Sequence, residues 1–531
     1  MGDVLYRIIA SVVCAVIFCI STENLLGAMQ QSGYKSNTFL RWLRRKGNMQ
    51  FNRLCVLALC LALSTAVTSL CFSFVGKTGA LFISAAPFLT LWLVYYLADA
   101  KYALKVKLVR TRRVNRLRAV YLFLSACISY IFIAALTFLS KLNGSDLYAL
   151  IAYVPFAITP VLLPFILCLS NALIGGFENA RNKKFVIRAG QVLNERKILR
   201  VGIVGSYGKT SVKNILKTLL SEKYAVVATP ESYNTPVGIA KTVFSPEFEK
   251  GEVFIAEMGA RKSGDIKELC ALVKPDYAIF TGVCAQHIST FGSLENVFKE
   301  KSEILYSGAK VVCGEELQSR VKEARIEENA VFVSGLVKGA QLAATGTEFT
   351  LCLGGEEIDV QTKLLGNMAV ENVALAATLA FEMGMTTEEI ASGIKKLEQI
   401  PHRLQLIENN GVYVLDDGYN CNPRGATEAI AALTRFPNRK CIVTPGIVEC
   451  GVLEEEINGK LGAEIAAAGL DKIILVGDTL VGAVKSGYVA AGGDEEKLTV
   501  VKTLDSAKVA LAEWIGVGDC VLFLNDLPDV Y

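Results

Sequence analysis

A glycine-rich segment, Gly205–Ser211, carries residue types that bind the phosphates of a nucleotide. Lys209 and Thr210 follow two glycines in it, in the order that phosphate-binding loops use. Backbone N–H groups of such a loop surround a polyphosphate, the lysine neutralises charge on the β- and γ-phosphates, and the threonine hydroxyl ligates Mg²⁺. The loop is not a complete Walker A motif, because Ile203 stands where the first glycine belongs. The segment predicts an ATP site that comprises Gly205, Ser206, Tyr207, Gly208, Lys209, Thr210 and Ser211.

The residues on either side of this loop predict the elements that hold it. Leu199–Val204 is apolar and rich in β-branched residues, which is typical of a buried parallel strand. After the loop, apolar residues recur at helical spacing, namely Val212, Ile215, Leu216, Leu219 and Leu220. A strand, a glycine turn and a helix would bring the positive end of the helix to the phosphates.

Polar residues further along the chain are placed where they could join this site. Glu257 ends one predicted strand, and His287, one of only two histidines, follows another, Tyr277–Val283. Ligands of a parallel sheet bind beyond the carboxyl ends of its strands, so both side chains are expected near the phosphate loop, although either could simply be a capping or solvated group. Lys301 lies on the next predicted helix, where most lysines are solvated.

Long apolar segments dominate the first third of the chain. The protein has 531 residues, of which 52% are hydrophobic, and the excess lies before residue 175. A helix of about 20 apolar residues spans the hydrocarbon of a bilayer. We therefore predict five transmembrane helices in a helical membrane domain over residues 1–175, at Val4–Ile20, Cys55–Val75, Ala80–Ala98, Ala119–Leu139 and Leu147–Ile174.

The charges between these segments predict their orientation. Basic residues crowd the first and third loops, for example Arg41 and Arg113, whereas Lys77 and Lys141 are the only basic residues of the second and fourth. The positive-inside rule then puts the N-terminus outside and everything after Ile174 in the cytoplasm, so we expect a multi-pass protein of the cytoplasmic membrane. The net charge of +4 is mostly this loop charge and gives no reason to expect nucleic acid. The same loops could also bind a lipid diphosphate or anionic headgroups.

The rest of the chain predicts a soluble α/β protein in two domains. A basic linker is expected over 176–197, followed by alternating strand and helix patterns that favour a parallel sheet covered on both faces. About 350 residues are too many for one core. We place a P-loop-type central domain at 198–400 and a smaller, Rossmann-like C-terminal domain at 401–531, with a hinge near Gln399–Arg403. The predicted later strands are Glu252–Met258, Tyr277–Val283, Lys310–Cys313, Val412–Leu415, Cys441–Thr444, Lys472–Val476 and Cys520–Leu524.

An ordered series of motifs resembles the Mur ligase family, most closely its D-alanyl-D-alanine-adding (MurF) branch. Besides the phosphate loop, these motifs are Asn234–Gly238, Glu257–Ala260, His287 with Phe291–Ser293, Lys301–Ile304, Pro401–Leu404 and Asp416–Pro423. The resemblance covers residues 195 to about 450. It implies an ATP-dependent ligase that phosphorylates an acceptor carboxylate to an acyl phosphate, releases ADP, and lets an amine displace the phosphate.

The resemblance also implies roles for individual residues. Catalysis would fall to Lys209, Glu257, His287 and Lys301. Of two Mg²⁺ ions, Thr210 and Glu257 would hold the first and His287 the second. Lys301 matches a lysine that is often carbamylated in the family, and a carbamate is an oxygen ligand suited to Mg²⁺; Lys299 is a nearby alternative. Nucleotide contacts would come from Asn234 to the γ-phosphate, Asn372 to the adenine, and Arg403 and Asp417 to the ribose.

The sequence departs from the family pattern at several places. Met368 stands where the family commonly has histidine, and Gly418 replaces a serine of the signature. No basic segment of the kind found near the end of MurF is present, and apolar segments precede the resemblance where the family has its UDP-sugar-binding domain.

These features lead us to expect a membrane-bound ligase that uses ATP and Mg²⁺ to join a carboxylate acceptor and an amine donor, with a lipid-linked or membrane-proximal cell-envelope precursor as acceptor. Three alternatives stay open: a membrane-anchored MurF that adds a dipeptide to UDP-muramoyl peptide, a poly-γ-glutamate-type synthetase, and a nucleotide-powered export component.

Overall fold

The computed structural model describes residues 2–44, 48–101, 107–143, 146–231, 233–286, 288–326, 328–419 and 421–525. It describes side chains except at 2, 3, 65, 66, 68–85, 136–143, 146–156 and 289. The chain forms two compact units, one over Met1–Arg181 and one over Asn182–Asp526.

The first unit is helical. Its elements are α1 (Gly2–Ser21), α2 (Glu23–Gln31), α3 (Ser36–Leu43), α4 (Gln50–Ala100), α5 (Arg112–Asn143) and α6 (Asp146–Glu195), of which α6 continues into the second unit. Within the described residues, three helical segments are long and apolar enough to cross a membrane, namely Val4–Ser21, Arg112–Ala135 and Ala157–Glu195. Shorter apolar segments, Gln50–Ser64 and Ala86–Ala100, lie at the two ends of α4.

Two predicted boundaries in this region are absent from the structure. The second and third predicted spans belong to one continuous helix, α4, rather than to two helices joined at Lys77. The basic segment predicted as a linker over 176–197 is helical as far as Glu195, because α6 runs on through Gly175 and Gly176. A β-carbon at either glycine would meet no other group within 4 Å, so neither marks a close approach that would end the helix. The helices continue through these segments even though the charge and the glycine content of the sequence change there.

The second unit begins with a six-stranded parallel sheet, as predicted for the central domain. Its strands lie in the order β2-β3-β1-β4-β5-β6. They are β1 (Leu199–Val204), β2 (Val226–Ala228), β3 (Val253–Glu257), β4 (Tyr277–Phe280), β5 (Lys310–Cys313) and β6 (Ala330–Phe332). The helices between and after them are α7 (Lys209–Leu220), α8 (Pro236–Val243), α9 (Asp265–Val273), α10 (Ile288–Phe291), α11 (Leu294–Ser302) and α12 (Gln318–Glu323).

A small antiparallel sheet and two helices complete the central region. The sheet, in the order β7-β8-β9, consists of β7 (Val337–Leu342), β8 (Thr347–Leu353) and β9 (Glu356–Thr362), none of which the sequence analysis identified. Helices α13 (Asn367–Glu382) and α14 (Thr387–Lys395) follow. Apolar residues of α7, α13 and α14 pack on one face of the parallel sheet, and the other face is covered by α8, α9 and α11.

The remaining residues form a second α/β sheet, in the order β10-β11-β15-β12-β13-β14. Its strands are β10 (Gln405–Asn409), β11 (Val412–Asp417), β12 (Lys440–Thr444), β13 (Lys472–Val476), β14 (Leu498–Val501) and β15 (Cys520–Leu524). Its helices are α15 (Pro423–Thr434), α16 (Glu454–Ala467), α17 (Val481–Ala490) and α18 (Leu504–Ala512). All pairings are parallel except that of β10 with β11, which a two-residue turn joins as a hairpin.

The strand order determines which residues meet at the carboxyl edge of the central sheet. Strand β1 lies between β3 and β4, with Ile203 opposite Glu257 and Val204 opposite Phe280. The loop after β1, the carboxylate at the end of β3 and the residues after β4 therefore converge, although they are far apart in the chain. This edge carries the candidate site.

Candidate active site

Two glycines give the phosphate loop its shape. Gly205 and Gly208 both have positive φ, of 154° and 72°. A β-carbon at Gly205 would overlap the Thr281 hydroxyl, and one at Gly208 would lie 2.7 Å from Asn372 Oδ1. Gly208 also immediately precedes α7, so its left-handed conformation turns the chain into the helix. The loop is thus packed against the end of β4 and against α13, with no room for a side chain at either glycine.

Lys209 folds back over this loop. Its Nζ donates to the backbone carbonyl of Gly205 at 2.7 Å and approaches that of Ser206 at 3.5 Å. Burial lowers the pKa of Lys209 and nearby Arg403 lowers it further, whereas Glu257 acts in the opposite direction. The amine is therefore held at the loop, where it can approach a phosphate bound by the loop N–H groups.

Glu257 is the polar centre of the site. It is 2% exposed, and its Oε2 accepts from Thr210 Oγ1 and from Lys213 Nζ, both at 3.0 Å. Its Oε1 accepts from the side-chain amide of Asn234 at 3.2 Å. Burial acts to raise the pKa of Glu257, but Lys213 and Lys209 outweigh it, and the pKa lies below its usual value. The carboxylate is thus ionised at neutral pH.

The donor set around Glu257 suits a hard cation. An ionised carboxylate and a hydroxyl 3.0 Å apart, Glu257 and Thr210, offer the oxygen ligands that Mg²⁺ prefers. They lie at the phosphate loop, where a Mg²⁺ ion usually also binds phosphate oxygens. Among the described residues, no three His, Cys, Asp or Glu side chains cluster closely enough to hold a metal by themselves. A metal here would therefore depend on Thr210, Glu257 and the nucleotide.

Lys301 reaches the same loop from α11. It is 2% exposed, and its Nζ donates to the Gly205 carbonyl at 3.1 Å. Lys209 donates to the same oxygen at 2.7 Å, so the two amines can be at most 5.8 Å apart. Burial, followed by repulsion from Lys209, lowers the pKa of Lys301 to about 7. As an ammonium ion Lys301 does not fit a metal site, whereas its neutral amine can react.

Lys299, the alternative to Lys301, lies elsewhere. It is exposed and lines a surface groove of about 570 Å³ together with Phe298 and Ser302. Two residues along a helix correspond to about 200° of rotation, so Lys299 and Lys301 point in nearly opposite directions. The structure brings Lys301, and not Lys299, to the phosphate loop. His287, the other predicted ligand of a second metal, lies outside the described residues.

The predicted nucleotide contacts fall into two groups. Asn234 donates to Glu257, and the Asn372 side chain lies against Gly208. Arg403 stacks over the Tyr419 ring at 4.5 Å and donates to the Tyr419 carbonyl at 2.8 Å. Asp417 accepts from the Leu404 N–H at 3.0 Å. Burial raises the pKa of Asp417 to about 6, and Arg403 partly offsets this.

Sequence reasoning missed Lys213. It is 2% exposed and forms a 3.0 Å ion pair with Glu257, while its Nζ also donates to the Glu231 carbonyl. Lys213 lies four residues after Lys209 on α7, and residues at that spacing share one helix face. That spacing was a usable signal, because Lys209 was already assigned to the phosphates.

A second missed group joins the two α/β domains. Arg424, at the start of α15, donates to the Tyr207 hydroxyl, to Glu316 and, at 2.7 Å, to Glu371. Its guanidinium also stacks over the Tyr207 ring at 4.4 Å. Burial raises the pKa of Glu371 to about 7, although Arg424 opposes this. A residue next to the predicted Asp416–Pro423 motif therefore contacts the phosphate loop itself, through Tyr207.

Known families and proteins match this part of the chain. The Mur ligase middle domain matches residues 203–380, and the Mur ligase glutamate ligase domain matches 402–525. UDP-N-acetylmuramoyl-tripeptide–D-alanyl-D-alanine ligase of Escherichia coli (strain K12) is 30% identical over 295 residues, which are 52% of this chain and 64% of that protein. The Bacillus subtilis (strain 168) protein of the same name is 27% identical over 339 residues, covering 61% and 72%.

A solved structure shares the fold. The MurF ligase of Thermotoga maritima in complex with ADP is 26% identical, with a TM-score of 0.59, and the match covers 65% of this chain and 80% of that one. The chain spans less than two thirds of the length of its Escherichia coli relative. The two domain matches together cover more than half of the chain, in the order and at the motifs described above, and the chain belongs to the Mur ligase family.

Proposed function

We propose that this protein is a membrane-bound, ATP-dependent ligase that forms an amide bond through an acyl phosphate. The observation that carries the proposal is the convergence of Lys209, Thr210, Glu257 and Lys301 on the phosphate loop. The proposal is also supported by the names of the relatives, which are ligases that join D-alanyl-D-alanine to a UDP-linked muramoyl tripeptide.

The reaction proceeds in two steps. The acceptor carboxylate attacks the γ-phosphorus of ATP, the bond to the β-phosphate oxygen breaks, and an acyl phosphate and ADP form. The neutral amine of the donor then attacks the acyl carbon, the amine loses a proton, and inorganic phosphate leaves with the bonding electrons. The main barrier to the first step is electrostatic, because an anion must approach a triphosphate.

The residues of the site lower this barrier by compensating the negative charge. Lys209 places positive charge at the phosphates, and bound Mg²⁺ would supply the rest of the compensating field, held by Thr210 and Glu257. Lys213 keeps Glu257 ionised and fixed, as its 3.0 Å ion pair indicates. Asn234 would contact the γ-phosphate, Asn372 the adenine, and Arg403 and Asp417 the ribose.

Carbamylation of Lys301 is part of the proposal. Carbon dioxide reacts with a neutral amine, and a pKa of about 7 leaves a substantial fraction of Lys301 neutral at physiological pH. The product, a carbamate, would be an anionic oxygen ligand beside Lys209. Its negative charge would replace the repulsion between the two amines by attraction. Together with His287, it would hold the second Mg²⁺ ion.

We further propose that several helices of the first unit anchor the protein in the cytoplasmic membrane, with the ligase domains in the cytoplasm. Support comes from the three segments long enough to span a bilayer, the two shorter apolar segments at the ends of α4, and the distribution of basic residues between them. ATP is available on the cytoplasmic side. A membrane domain next to the ligase favours a lipid-linked cell-envelope precursor as the acceptor.

The test is ADP formation by the full-length protein reconstituted in lipid nanodiscs. D-alanyl-D-alanine is supplied as the amine, and the acceptor is a muramoyl tripeptide carried either on a polyprenyl diphosphate or on UDP. We expect ADP and a new amide with the lipid-linked acceptor. Faster turnover of the UDP-linked acceptor would support the second candidate, a membrane-anchored MurF, which the named relatives favour. If no ADP forms with either acceptor, both substrate assignments are contradicted.

A further inference from the structure

Three arginines of the helical unit surround one carboxylate at the ends of α5 and α6. Arg113 and Arg116 lie in the first turns of α5, and Arg181 lies on α6. Glu178, which is 1% exposed, accepts from Arg116 Nε and, at 3.1 Å, from Arg181 Nη2. Arg113 interacts electrostatically with Glu178 and with both other arginines. We call Arg113, Arg116 and Arg181 the arginine cluster; with Glu178 it carries a formal charge of +2.

The arginine cluster has more donors than its carboxylate uses. Arg113 Nε and Arg116 Nη2 are both buried, and neither has a hydrogen-bond partner among the described residues. A buried guanidinium N–H without an acceptor is costly, typically by about 1–3 kcal/mol or more for a charged group. Arginines that serve only to orient a membrane protein would place these groups in water. The unpaired donors leave the cluster with uncompensated positive charge, and the side chains of Arg116 and Arg181, which are 32% and 47% exposed, are open to an anionic ligand.

A tight turn between α2 and α3 forms one wall of the cluster. The guanidinium carbon of Arg113 lies over the Tyr34 ring, 3.7 Å from its centroid. Tyr34 itself has a positive φ of 60°, and Asn171 of α6 fixes its carbonyl with a 2.9 Å hydrogen bond. Stacking on an aromatic face leaves the in-plane N–H groups of an arginine available, and their fork matches the oxygens of a phosphate. The turn thus holds Arg113 in a binding orientation.

We propose that the arginine cluster binds the phosphate or diphosphate headgroup of a membrane lipid. The positive charges of the cluster match a diphosphate, and the apolar segments of α5 and α6 would lie beside the lipid tail. By loop charge, the cluster faces the cytoplasm. The inference rests on the membrane placement made under the proposed function, and it gives the lipid-linked acceptor a specific headgroup site.

The test measures binding of farnesyl diphosphate, a short-chain polyprenyl diphosphate, to the full-length protein in phosphatidylcholine nanodiscs. Inorganic diphosphate and farnesol test the headgroup and the tail separately, and phosphatidylglycerol added to the nanodiscs tests an ordinary anionic lipid as the source of the phosphate. We expect farnesyl diphosphate to bind more tightly than either half of the molecule. Tighter or equal binding of inorganic diphosphate would overturn a lipid site in favour of a free-phosphate site, and competition by phosphatidylglycerol would identify the ligand as a phospholipid headgroup.

Two variants separate the cluster from general surface charge. Arg113→Gln should weaken binding about tenfold or more, since a charged hydrogen bond is lost and no carboxylate loses its partner. Arg112→Gln is the matched control, because Arg112 is the neighbouring residue but is exposed, and it should change binding less than threefold or so. Equal effects of the two substitutions would overturn the proposal.

A third variant should tighten the binding of farnesyl diphosphate rather than weaken it. Glu178→Gln removes the competing carboxylate and should tighten binding of farnesyl diphosphate several-fold or so, because Arg116 and Arg181 become available. Unchanged or weaker binding would count against the site. If the wild type binds farnesyl diphosphate but forms no ADP, only the proposed function is contradicted. If it forms ADP but does not bind farnesyl diphosphate, only this inference is contradicted.

Discussion

Lys213 and Glu257 form an ion pair of 3.0 Å in which each side chain is only 2% exposed. Because Glu257 also accepts from Thr210 and Asn234, the pair connects α7, the end of β3 and the loop that precedes α8. The charge of Glu257 is therefore balanced by Lys213 inside the protein. Lys213 keeps the Glu257 carboxylate ionised, and without Lys213 this carboxylate would be a buried charge that lacks its ion-pair partner.

Replacing Lys213 with methionine should destabilise the protein strongly. Removing one partner of a buried ion pair typically costs about 3–5 kcal/mol. We expect a lower thermal midpoint for the full-length protein and reduced ADP formation. Lys223→Met is the matched control, because the pair of Lys223 with Glu389 is about one third exposed on each side, and its loss should cost under about 1 kcal/mol. Equal midpoints for the two variants would contradict the assigned role of Lys213.

The same ion pair predicts a pH dependence. The pKa of Glu257 in the folded protein lies below its usual value, so the unfolded protein binds more protons as the pH falls. The stabilisation is complete above the unfolded pKa of about 4.3 and is lost as the pH falls through the lower folded value. The difference in thermal midpoint between wild type and Lys213→Met should therefore shrink in melts from pH 7 to below about 4. A constant difference would show that the Glu257 charge is not involved.

Lys209→Ala should abolish turnover without affecting membrane insertion. The amine lies at the Gly205 carbonyl inside the phosphate loop, and its loss removes the positive charge that meets the triphosphate. We expect ADP formation to fall by about a thousandfold or more, comparable to the loss of a strong electrostatic contact in a catalytic site. Lys217→Ala, an exposed lysine on the same helix, should retain activity. Activity would be measured as ADP release, and insertion as the membrane-bound fraction of the protein.

Lys301 should take up carbon dioxide. Its pKa of about 7 lies well below that of a free lysine, so the reactive neutral amine becomes the major form as the pH rises through that value. After incubation with ¹³C-bicarbonate, wild type and Lys299→Ala should show a carbamate signal by NMR, and Lys301→Arg should not. A signal that persists in Lys301→Arg would rule out this lysine as its source.

Arg424→Gln should loosen the connection between the two α/β domains. Arg424 contacts Tyr207, Glu316 and Glu371 of the central domain from the start of α15. We expect an increase in hydrogen exchange at the phosphate loop and in the KM for ATP. Arg439→Gln is the control, because the partner of Arg439, Asp519, belongs to the same C-terminal sheet domain. If Arg439→Gln increases exchange at the phosphate loop as much as Arg424→Gln does, the bridging role is wrong.

Local sequence patterns were sufficient for much of the fold. The strand before the phosphate loop, the helix after it and the later parallel strands follow from runs of apolar residues, because burial of a strand or of one helix face requires that spacing. The short edge strands β2, β6, β10 and β14 were missed, since few of their residues are buried. The sheet β7–β9 was missed as well: β7 is largely exposed, whereas β8 and β9 alternate buried and exposed residues, and that period of two was a usable signal.

The sequence by itself determined the loop Gly205–Ser211, its membership in an ordered series of family motifs, and the apolar character of residues 1–175. All of these depend on residues close together in the chain. Only the tertiary structure decided that Lys213 meets Glu257, that Lys301 rather than Lys299 reaches Gly205, and that Arg424 reaches Tyr207 across 217 positions of sequence. Those contacts depend on strand order and on the rotation of helices about their axes. The packing of the whole core sets both, and a local pattern of residues does not encode that packing.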